Sequence, residues 1–216
     1  MDRKKDSRMS WLMSALYDRF MRQSEAACLG RWRAELLHDL SGSVLEIGAG
    51  TGASLTHYPA SVSRLVLCEP DPHMRRKLQA RAAAVAPGRT EVADCSAQAL
   101  GFPSASFDAV VSSLVLCSVS DPDAALAEVA RVLKPRGRLV FLEHVAADSN
   151  PPRLKWQKRI EPVWKHLMGN CHLTRRTEAV IGAAGFRIER IQRESIRKAM
   201  PLVRPSIRGI AVKMTA

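Results

Sequence analysis

The stretch Val44-Leu45-Glu46-Ile47-Gly48-Ala49-Gly50-Thr51-Gly52 joins a short apolar run to three closely spaced glycines. The apolar run predicts a buried strand, and the glycines let the backbone turn sharply and approach a ligand closely. We predict that the chain then enters a helix, whose N-terminal N–H groups would face an anion such as a carboxylate. The stretch therefore predicts a ligand site at the end of the first core strand.

Short apolar runs alternate with helical patterns after this loop. The predicted strands are 43–47, 64–68, 90–93, 107–112 and 138–142, and the predicted helices or helical turns are 53–57, 72–85, 97–100 and 122–133. Because parallel strands need crossover connections, this order predicts an α/β fold, a Rossmann-like and mostly parallel seven-stranded sheet with helices on both faces. A helical region over 152–184 and two further strands, 186–193 and 207–212, complete the sheet at one edge.

The chain of 216 residues, 46% of them apolar, fits a single domain with one sizeable core. We divide it into an N-terminal helical cap (1–40), a ligand-binding core (41–150) and a basic region with the last strands (151–216). Amphipathic patterns over 9–20 and 24–39 predict helices in the cap. These helices would cover a substrate pocket or a sheet edge, or lie on a membrane surface.

The five cysteines, at 28, 68, 95, 117 and 171, are an odd number without a Cys-x-x-Cys pair. This pattern argues against a disulfide framework and against a thiolate zinc site, so we expect no bound metal. No apolar run is long enough to span a bilayer, and the start of the chain is too charged for a signal peptide. We therefore expect a cytoplasmic protein.

The formal net charge of +12 lies almost entirely in the last third of the chain, where 151–216 holds fifteen basic and four acidic residues. Such a region can attract nucleic acid, anionic lipid or an acidic substrate, although a solvated basic surface is the plainer interpretation. No recognisable RNA module accompanies it. We expect no specific nucleic-acid partner, allow for weak peripheral membrane contact, and leave the oligomeric state open.

Acidic residues near the glycine loop bear on which cofactor it holds. Read as Gly-x-Gly-x-x-Ala, the segment 48–53 suits a dinucleotide, and Glu69 would hold a ribose in either case. Glu46, two residues before the first glycine, can meet the ammonium group of a methionine moiety. A dinucleotide pyrophosphate would not need a carboxylate at this position. Asp94 suits the exocyclic amine of an adenine, or it serves as an ordinary helix N-cap. These positions favour S-adenosylmethionine over a dinucleotide.

Two later stretches resemble the class I methyltransferase superfamily, namely Leu100-Gly101-Phe102-Pro103 with Ser106-Phe107-Asp108-Ala109-Val110-Val111, and Arg131-Val132-Leu133-Lys134-Pro135-Arg136-Gly137-Arg138-Leu139. Ala49 and Arg136 depart from the usual pattern, in which a small polar or acidic residue and a glycine stand at these positions. We interpret Arg136 as a sign that its turn needs no positive φ there. The predicted contacts to S-adenosylmethionine are Glu46, Gly48, Ala49, Gly50, Gly52, Glu69, Pro70, Asp94, Cys95, Ser96, Ser113 and Leu114.

Segments nearer the C-terminus resemble a narrower group, the methyltransferase-like thiol S-methyltransferases of animals and bacteria. The similar segments are Leu114-Val115-Leu116-Cys117-Ser118-Val119, Glu143-His144-Val145-Ala146, Trp156-Gln157, 161–166, 169–175 and 203–209. This resemblance implies methylation of a small apolar thiol or dithiol. The alternatives are C- or O-methylation of a quinone or phenol, and a protein that binds nucleic acid or a membrane surface. The animal members carry an apolar N-terminal anchor, which we do not carry over.

A thiol acceptor is easily activated, because its ordinary pKa of about 8.5 falls when positive charge is near. His144 follows the fifth strand, at the edge where open α/β sheets bind ligands. We predict that His144 takes up or stabilises the thiol proton, with a purely structural histidine as the alternative. His166, His172 and Arg175 are second choices, and they would supply positive potential.

The basic region also contains the residues for an apolar acceptor pocket. Trp156, Trp164 and Met168 share one helical stretch and would line that pocket or pack in the core. Cys117 and Cys171 lie in the segments that resemble the thiol S-methyltransferases. We interpret them as buried or pocket-lining thiols, because methyl transfer needs no methylated enzyme intermediate.

Overall fold

The computed structural model describes residues 18–86 and 88–214, and seven strands within them form one sheet. The strands are β1 (Gly42–Ile47), β2 (Val62–Cys68), β3 (Thr90–Ala93), β4 (Phe107–Ser113), β5 (Leu133–His144), β6 (Phe186–Ser195) and β7 (Pro205–Lys213). They lie in the order β3-β2-β1-β4-β5-β7-β6. The first five are parallel, and β7 runs antiparallel to both of its neighbours. This arrangement confirms the predicted α/β fold.

Residues 18–24 are helical and lead into a π-helical turn, and five further α-helices of the described residues precede, separate or follow the strands. They are α1 (Gly30–Leu37), α2 (Pro72–Val85), α3 (Pro122–Val132), α4 (Pro151–Leu167) and α5 (Thr177–Ala183), with a π-helical turn at Glu25–Leu29 and 3₁₀ turns at Leu55–His57 and Pro201–Val203. Side chains of Asp71, Asp121 and Asn150 cap α2, α3 and α4, and each is followed by proline. None of the described helices is both long and apolar enough to cross a bilayer.

Helices cover both faces of the sheet. Trp32 of α1 and Leu78 of α2 share one apolar core with Val44 and Val140 of the central strands. On the opposite face, α3 and α5 pack into a second core around Phe141. Helix α1 therefore lies on a sheet face, and the expectation that the cap covers a sheet edge is wrong for this helix. Most of the helix predicted over 9–20 lies outside the described residues.

Two predicted helical turns differ in the structure. Residues 97–100 form a tight reversal closed by an isolated bridge between Ser96 and Ala99. The helix predicted over 53–57 is reduced to the single 3₁₀ turn Leu55–His57. Stretches of four or five residues are too short for a helix to propagate, so a local apolar pattern could not separate turn from helix here. The glycine loop consequently does not lead into a long helix whose N-terminus could hold a pyrophosphate.

Cys68 and Cys95 form a disulfide bond, with 5.4 Å between their Cα atoms. The expectation of no disulfide pair is therefore wrong at this position. Strands β2 and β3 are parallel neighbours in a register that sets Cys68 beside Ala93, two residues before Cys95. The pairing follows from the order of the strands, which a count of cysteines does not reveal. Cys28, Cys117 and Cys171 are free.

The turn at the start of β5 also differs from its predicted conformation. Arg136 has a φ of +61°, so the prediction that this turn needs no positive φ is wrong. A Cβ atom on Gly137 would lie 2.9 Å from both Leu133 Cδ2 and the Lys134 carbonyl oxygen. The chain therefore needs its glycine at 137 for space, and the left-handed conformation falls on the residue before it.

We expect Arg136→Gly to raise the free energy of unfolding by about 0.5–1 kcal/mol. Glycine adopts a positive φ without the steric cost that arginine meets, and its greater freedom in the unfolded chain offsets part of the gain. Arg138→Gly is the matched control, because Arg138 is also exposed but lies in the strand, where glycine destabilises. Urea unfolding of both variants checks the prediction, and a loss of stability in Arg136→Gly contradicts it.

Candidate active site

The carboxyl ends of the parallel strands lie side by side at one edge of the sheet. The register places Ile47 beside Cys68 on one side and beside Ser112 on the other. Glu69 directly follows β2, and His144 ends β5. The glycine loop, the predicted ribose acid and the predicted catalytic histidine thus share the edge at which open α/β sheets bind ligands.

The three glycines of the loop all have positive φ, at +56° for Gly48, +58° for Gly50 and +85° for Gly52. A Cβ atom on Gly48 would lie 2.7 Å from Val115, so this glycine lets the loop pack against the segment after β4. A Cβ atom on Gly50 would meet no heavy atom of the described residues within 4 Å. The backbone at Gly50 therefore borders open space that a ligand can fill.

Glu69 is almost fully buried beside this space, with 5% of its surface exposed. One carboxylate oxygen accepts a hydrogen bond from the Gly50 N–H and the other from the Asp71 N–H, each at 2.8 Å. Burial raises the pKa of Glu69, while the two N–H donors act in the opposite direction. Each oxygen retains acceptor capacity, which suits the hydroxyls of a ribose.

Glu46 lies in the core below the loop. Its carboxylate accepts hydrogen bonds from Ser54 Oγ at 2.7 Å and from the Tyr58 hydroxyl at 2.9 Å. Burial raises the pKa of Glu46, and the nearby Arg33 of α1 partly counters this effect. Glu46 therefore anchors the turn that follows the glycines. Its contact with a ligand ammonium stays a prediction.

The residues predicted around the adenine lie after β2 and β3. The Asp94 carboxylate is mostly exposed and receives two hydrogen bonds from the Arg75 guanidinium, at 3.0 and 2.9 Å. Arg75 also donates to the carbonyl oxygens of Glu69 and Pro70. No helix starts after Asp94, so the interpretation of Asp94 as an N-cap is wrong. Its neighbour Cys95 is held by the disulfide bond.

Two further predicted cofactor residues end β4 and begin the next loop. Ser113 Oγ accepts a hydrogen bond from Arg33 at 2.5 Å. Leu114 has a φ of +60°, and its N–H donates to the Leu142 carbonyl oxygen at 2.7 Å. The backbone therefore turns away from the sheet at Leu114.

The cap reaches the glycine loop as well. Thr51 Oγ1 donates to the Asp18 carboxylate at 2.6 Å, and the same carboxylate lies 3.6 Å from Arg81 of α2. The first described residue of the cap thus lies over the end of the loop.

The loop after β4 is held by a buried carboxylate that the sequence analysis did not assign. One oxygen of Glu143 accepts hydrogen bonds from Ser112 Oγ and from the N–H groups of Val115 and Leu116, and the other accepts from the Cys117 N–H. Burial raises the pKa of Glu143, which these donors oppose. The signal was present in the sequence, since a glutamate ends an otherwise apolar run at 139–142.

Arg175 and Asn170 hold the same loop from the other side. The Arg175 guanidinium donates to the carbonyl oxygens of Leu116 and Val119, both at 2.7 Å. The Asn170 amide donates to the Ser118 carbonyl oxygen at 2.9 Å. The loop is therefore fixed on both sides, and Arg175 brings a positive charge to it; its role toward an acceptor thiol stays a prediction.

Three predicted residues meet at this loop. His144 Nε2 lies 2.8 Å from Cys171 Sγ, and the donor atoms of Cys117, His144 and Cys171 all lie within 4.8 Å of one another. Hydrogen bonds from Cys117 and His144 lower the pKa of Cys171 to about 4, against the effect of burial. The bond to Cys171 and burial raise the pKa of Cys117. Sequence analysis named these residues separately but had no means to bring them together.

The second-choice histidines occupy different surroundings. The His172 N–H donates to the Cys117 carbonyl oxygen at 2.8 Å, and its ring lies 3.5 Å from the Glu161 carboxylate. Burial and the charge of Arg175 lower the pKa of His172. His166 is exposed on the last turn of α4.

An apolar groove of about 470 Å³ runs beside α4. Its lining residues are Arg153, Trp156, Ile160, Trp164, Met200, Pro201 and Leu202. Trp156 is 56% exposed, so packing in the core is excluded for this side chain. Met168 is not among the lining residues. A second, more polar cleft of about 600 Å³ lies beyond β5 and β7, between Asp148, Arg176 and Arg193.

The sheet order with an antiparallel β7, the glycine loop after β1 and the buried acid after β2 together define a class I methyltransferase. The family described as "Methyltransferase domain" matches residues 45–141. The chain is 37% identical over 183 aligned residues to thiol S-methyltransferase TMT1A of Homo sapiens, across 79% of this chain and 70% of that protein.

Similarity to a second human protein extends further. Thiol S-methyltransferase TMT1B of Homo sapiens is 34% identical over 223 aligned residues, which cover 94% of this chain and 85% of that protein. A solved methyltransferase from Thermotoga maritima shares the fold, with a TM-score of 0.68 at 20% identity over 96% of this chain and 99% of that one. The chain belongs to the family of S-adenosylmethionine-dependent methyltransferases that includes these thiol S-methyltransferases.

Proposed function

We propose that this methyltransferase transfers the methyl group of S-adenosylmethionine to the sulfur of a small, apolar thiol or dithiol. The observation that carries the proposal is the 34–37% identity, over most of the chain, to proteins named thiol S-methyltransferases. The site supports the proposal in two ways. Arg175 brings a positive charge to the fixed loop after β4, and the groove beside α4 offers an apolar surface. The expectations of no specific nucleic-acid partner and of weak membrane contact belong to the same proposal.

The residues after β1 and β2 fit the methyl donor. Gly50 leaves open space, and Glu69 offers buried carboxylate oxygens beside it. When bound, S-adenosylmethionine would supply a methyl group on a positively charged sulfur. A thiolate can accept this methyl group, with the donor sulfur as the leaving group. Glu69 would hold the ribose, and the surrounding backbone would fix the orientation of the donor.

The acceptor side has to align a sulfur with that methyl group and exclude water, since methyl transfer is an in-line displacement. Trp156 and Trp164 would bind the apolar part of the acceptor. His144, at the end of β5, would take up or stabilise the thiol proton, and Arg175 would add positive potential. The His144 ring contacts a sulfur in the structure, that of Cys171.

We expect Glu69→Ala to weaken binding of S-adenosylmethionine by about 1.5–3 kcal/mol, which is roughly ten- to a hundredfold, because hydrogen bonds to a charged acceptor are lost. Glu91→Ala, which removes an exposed acid from the neighbouring β3, is the matched control and should bind normally. Calorimetric titration measures both affinities. Equal affinities of the two variants would remove Glu69 from the cofactor site.

Competition between acceptors tests the function directly. Purified protein and S-adenosylmethionine are incubated with an alkyl thiol, an aryl thiol, a dithiol and a quinol in one mixture, and the methylated products are identified by mass spectrometry. The proposal predicts methyl sulfides as the main products. Methylation of the quinol without any methyl sulfide would support the C- or O-methyltransferase alternative instead.

A further inference from the structure

The cluster of Cys117, His144 and Cys171 is more than the proposed methyl transfer requires. The three residues come from the loop after β4, the end of β5 and the segment between α4 and α5. Cys117 and His144 are buried, whereas Cys171 is partly exposed. Cys171 is thus the less enclosed of the two cysteines, and the Cys117 sulfur lies within 4.8 Å of the Cys171 sulfur.

The donor atoms of the three side chains lie within 4.8 Å of one another, so the cluster could hold a metal ion or form a directly contacting thiol–imidazole group. Two ligands of one tetrahedral zinc ion, a thiolate sulfur and an imidazole nitrogen, lie about 3.5 Å apart. The 2.8 Å between His144 Nε2 and Cys171 Sγ is shorter than that separation, so the imidazole edge lies directly against the sulfur with no room for an ion between them. His144 therefore stabilises the negative charge on the sulfur directly.

The two cysteines differ in the way that reactive and resolving thiols differ. Cys171 is the more acidic, because the Cys117 and His144 side chains donate to its thiolate. Cys117 is fully buried and stays protonated at neutral pH. A partly exposed thiolate beside a buried resolving thiol is the arrangement found in cysteines that exchange disulfides.

We propose that Cys171 and Cys117 form a reactive dithiol that reduces small organic disulfides, with Cys171 attacking and Cys117 resolving. Trp164 lines the apolar groove and lies close enough to Cys171 to influence its thiolate. This neighbour favours disulfides that carry an apolar group over strongly charged ones.

The reaction balances without a cofactor. The Cys171 thiolate attacks one sulfur of the disulfide RSSR, a bond forms between Cys171 and SR, and RS⁻ leaves and takes a proton from water. Cys117 then loses its proton to His144 or water and attacks Cys171 Sγ, and the second RS⁻ leaves and is protonated. One disulfide is reduced to two thiols, and the two cysteines are oxidised to one disulfide. A small external dithiol restores the reduced pair.

The thiols released by disulfide reduction belong to the class of acceptor that the proposed function methylates. The connection between reduction and methylation therefore rests on the proposed function. The exchange itself needs no methyl donor. Disulfide reduction is therefore measured in the absence of S-adenosylmethionine, so that it and thiol methylation can fail separately.

The test uses the full chain, reduced and freed of reductant, and mixed with bis(hydroxyethyl) disulfide. Thiol release is followed in time, and acid-quenched samples are mapped by mass spectrometry, which separates this pair from Cys68 and Cys95. We expect a fast phase and a Cys117–Cys171 linkage in the unaltered chain. Cys117→Ser should stop at a mixed disulfide on Cys171, and Cys171→Ser should lose the fast phase. Cys28→Ser, a buried free cysteine elsewhere, should behave like the unaltered chain.

Three results would overturn the proposal. The first is a map of the unaltered chain without the Cys117–Cys171 linkage, which needs no variant to fold. The second is a fast phase that survives in folded Cys171→Ser. The third is stoichiometric zinc on the isolated chain that blocks the reaction until it is chelated, which would make the cluster a metal site.

Discussion

Gly50→Leu is expected to weaken binding of S-adenosylmethionine at least about a hundredfold, or about 2.7 kcal/mol, while the protein still folds. No heavy atom of the described residues lies within 4 Å of a Cβ atom at Gly50, so the new side chain fits the protein but fills the space assigned to the donor. A positive φ with a side chain costs about 1–3 kcal/mol of stability. Calorimetric titration and a thermal melt measure the two effects separately.

Gly101→Leu is the control that isolates strain from binding. Gly101 also has a positive φ, of +68°, and a Cβ atom there would likewise have no described neighbour within 4 Å. It lies outside the glycine loop, so this variant should lose similar stability and bind the donor normally. Normal binding by Gly50→Leu as well would mean that the donor is held elsewhere.

Glu143→Ala is expected to lower the free energy of unfolding by at least about 3 kcal/mol. The substitution leaves a hydroxyl and three backbone N–H groups without their acceptor, and buried donors that lose a partner cost about 1–3 kcal/mol each. Methyl transfer should fall as well, because the loop that carries Cys117 loses its support. Urea unfolding gives the stability, and the thiol assay gives the activity.

Glu128→Ala provides the comparison for Glu143. The Glu128 carboxylate also accepts a backbone N–H bond, from Leu100, and it pairs with Arg131, but 23% of its side chain is exposed. Water can replace the lost acceptor there, so we expect a cost of only about 1 kcal/mol. Equal losses for the two variants would show that Glu143 does not fix the loop.

Elements with strong local signals were predictable from the sequence. Helix α2 has the predicted bounds of 72–85, because Asp71 caps it and Pro72 fits its first position. All seven strands were expected near their observed positions, and the central strands β1 and β4 read as continuous apolar runs because they are buried on both faces. The glycine loop and Glu69 were also predictable, because they follow their strands directly.

Contacts set by the order of the strands were not predictable. Cys68 meets Cys95 because β2 lies beside β3, and Cys171 meets His144 because a loop far along the chain returns to the end of β5. The positive φ of Arg136 depends on crowding at Gly137, which the sequence does not show. Such features need the packed structure, since spacing along the chain carries no information about them.

A crystal structure with bound S-adenosylhomocysteine, the product of methyl transfer, tests the central claim most directly. The account predicts the ribose hydroxyls on the Glu69 carboxylate and the ligand against the backbone at Gly50, with its sulfur directed toward the loop after β4. A ligand bound away from Glu69 and Gly50, for example in the cleft between Asp148 and Arg193, would contradict it.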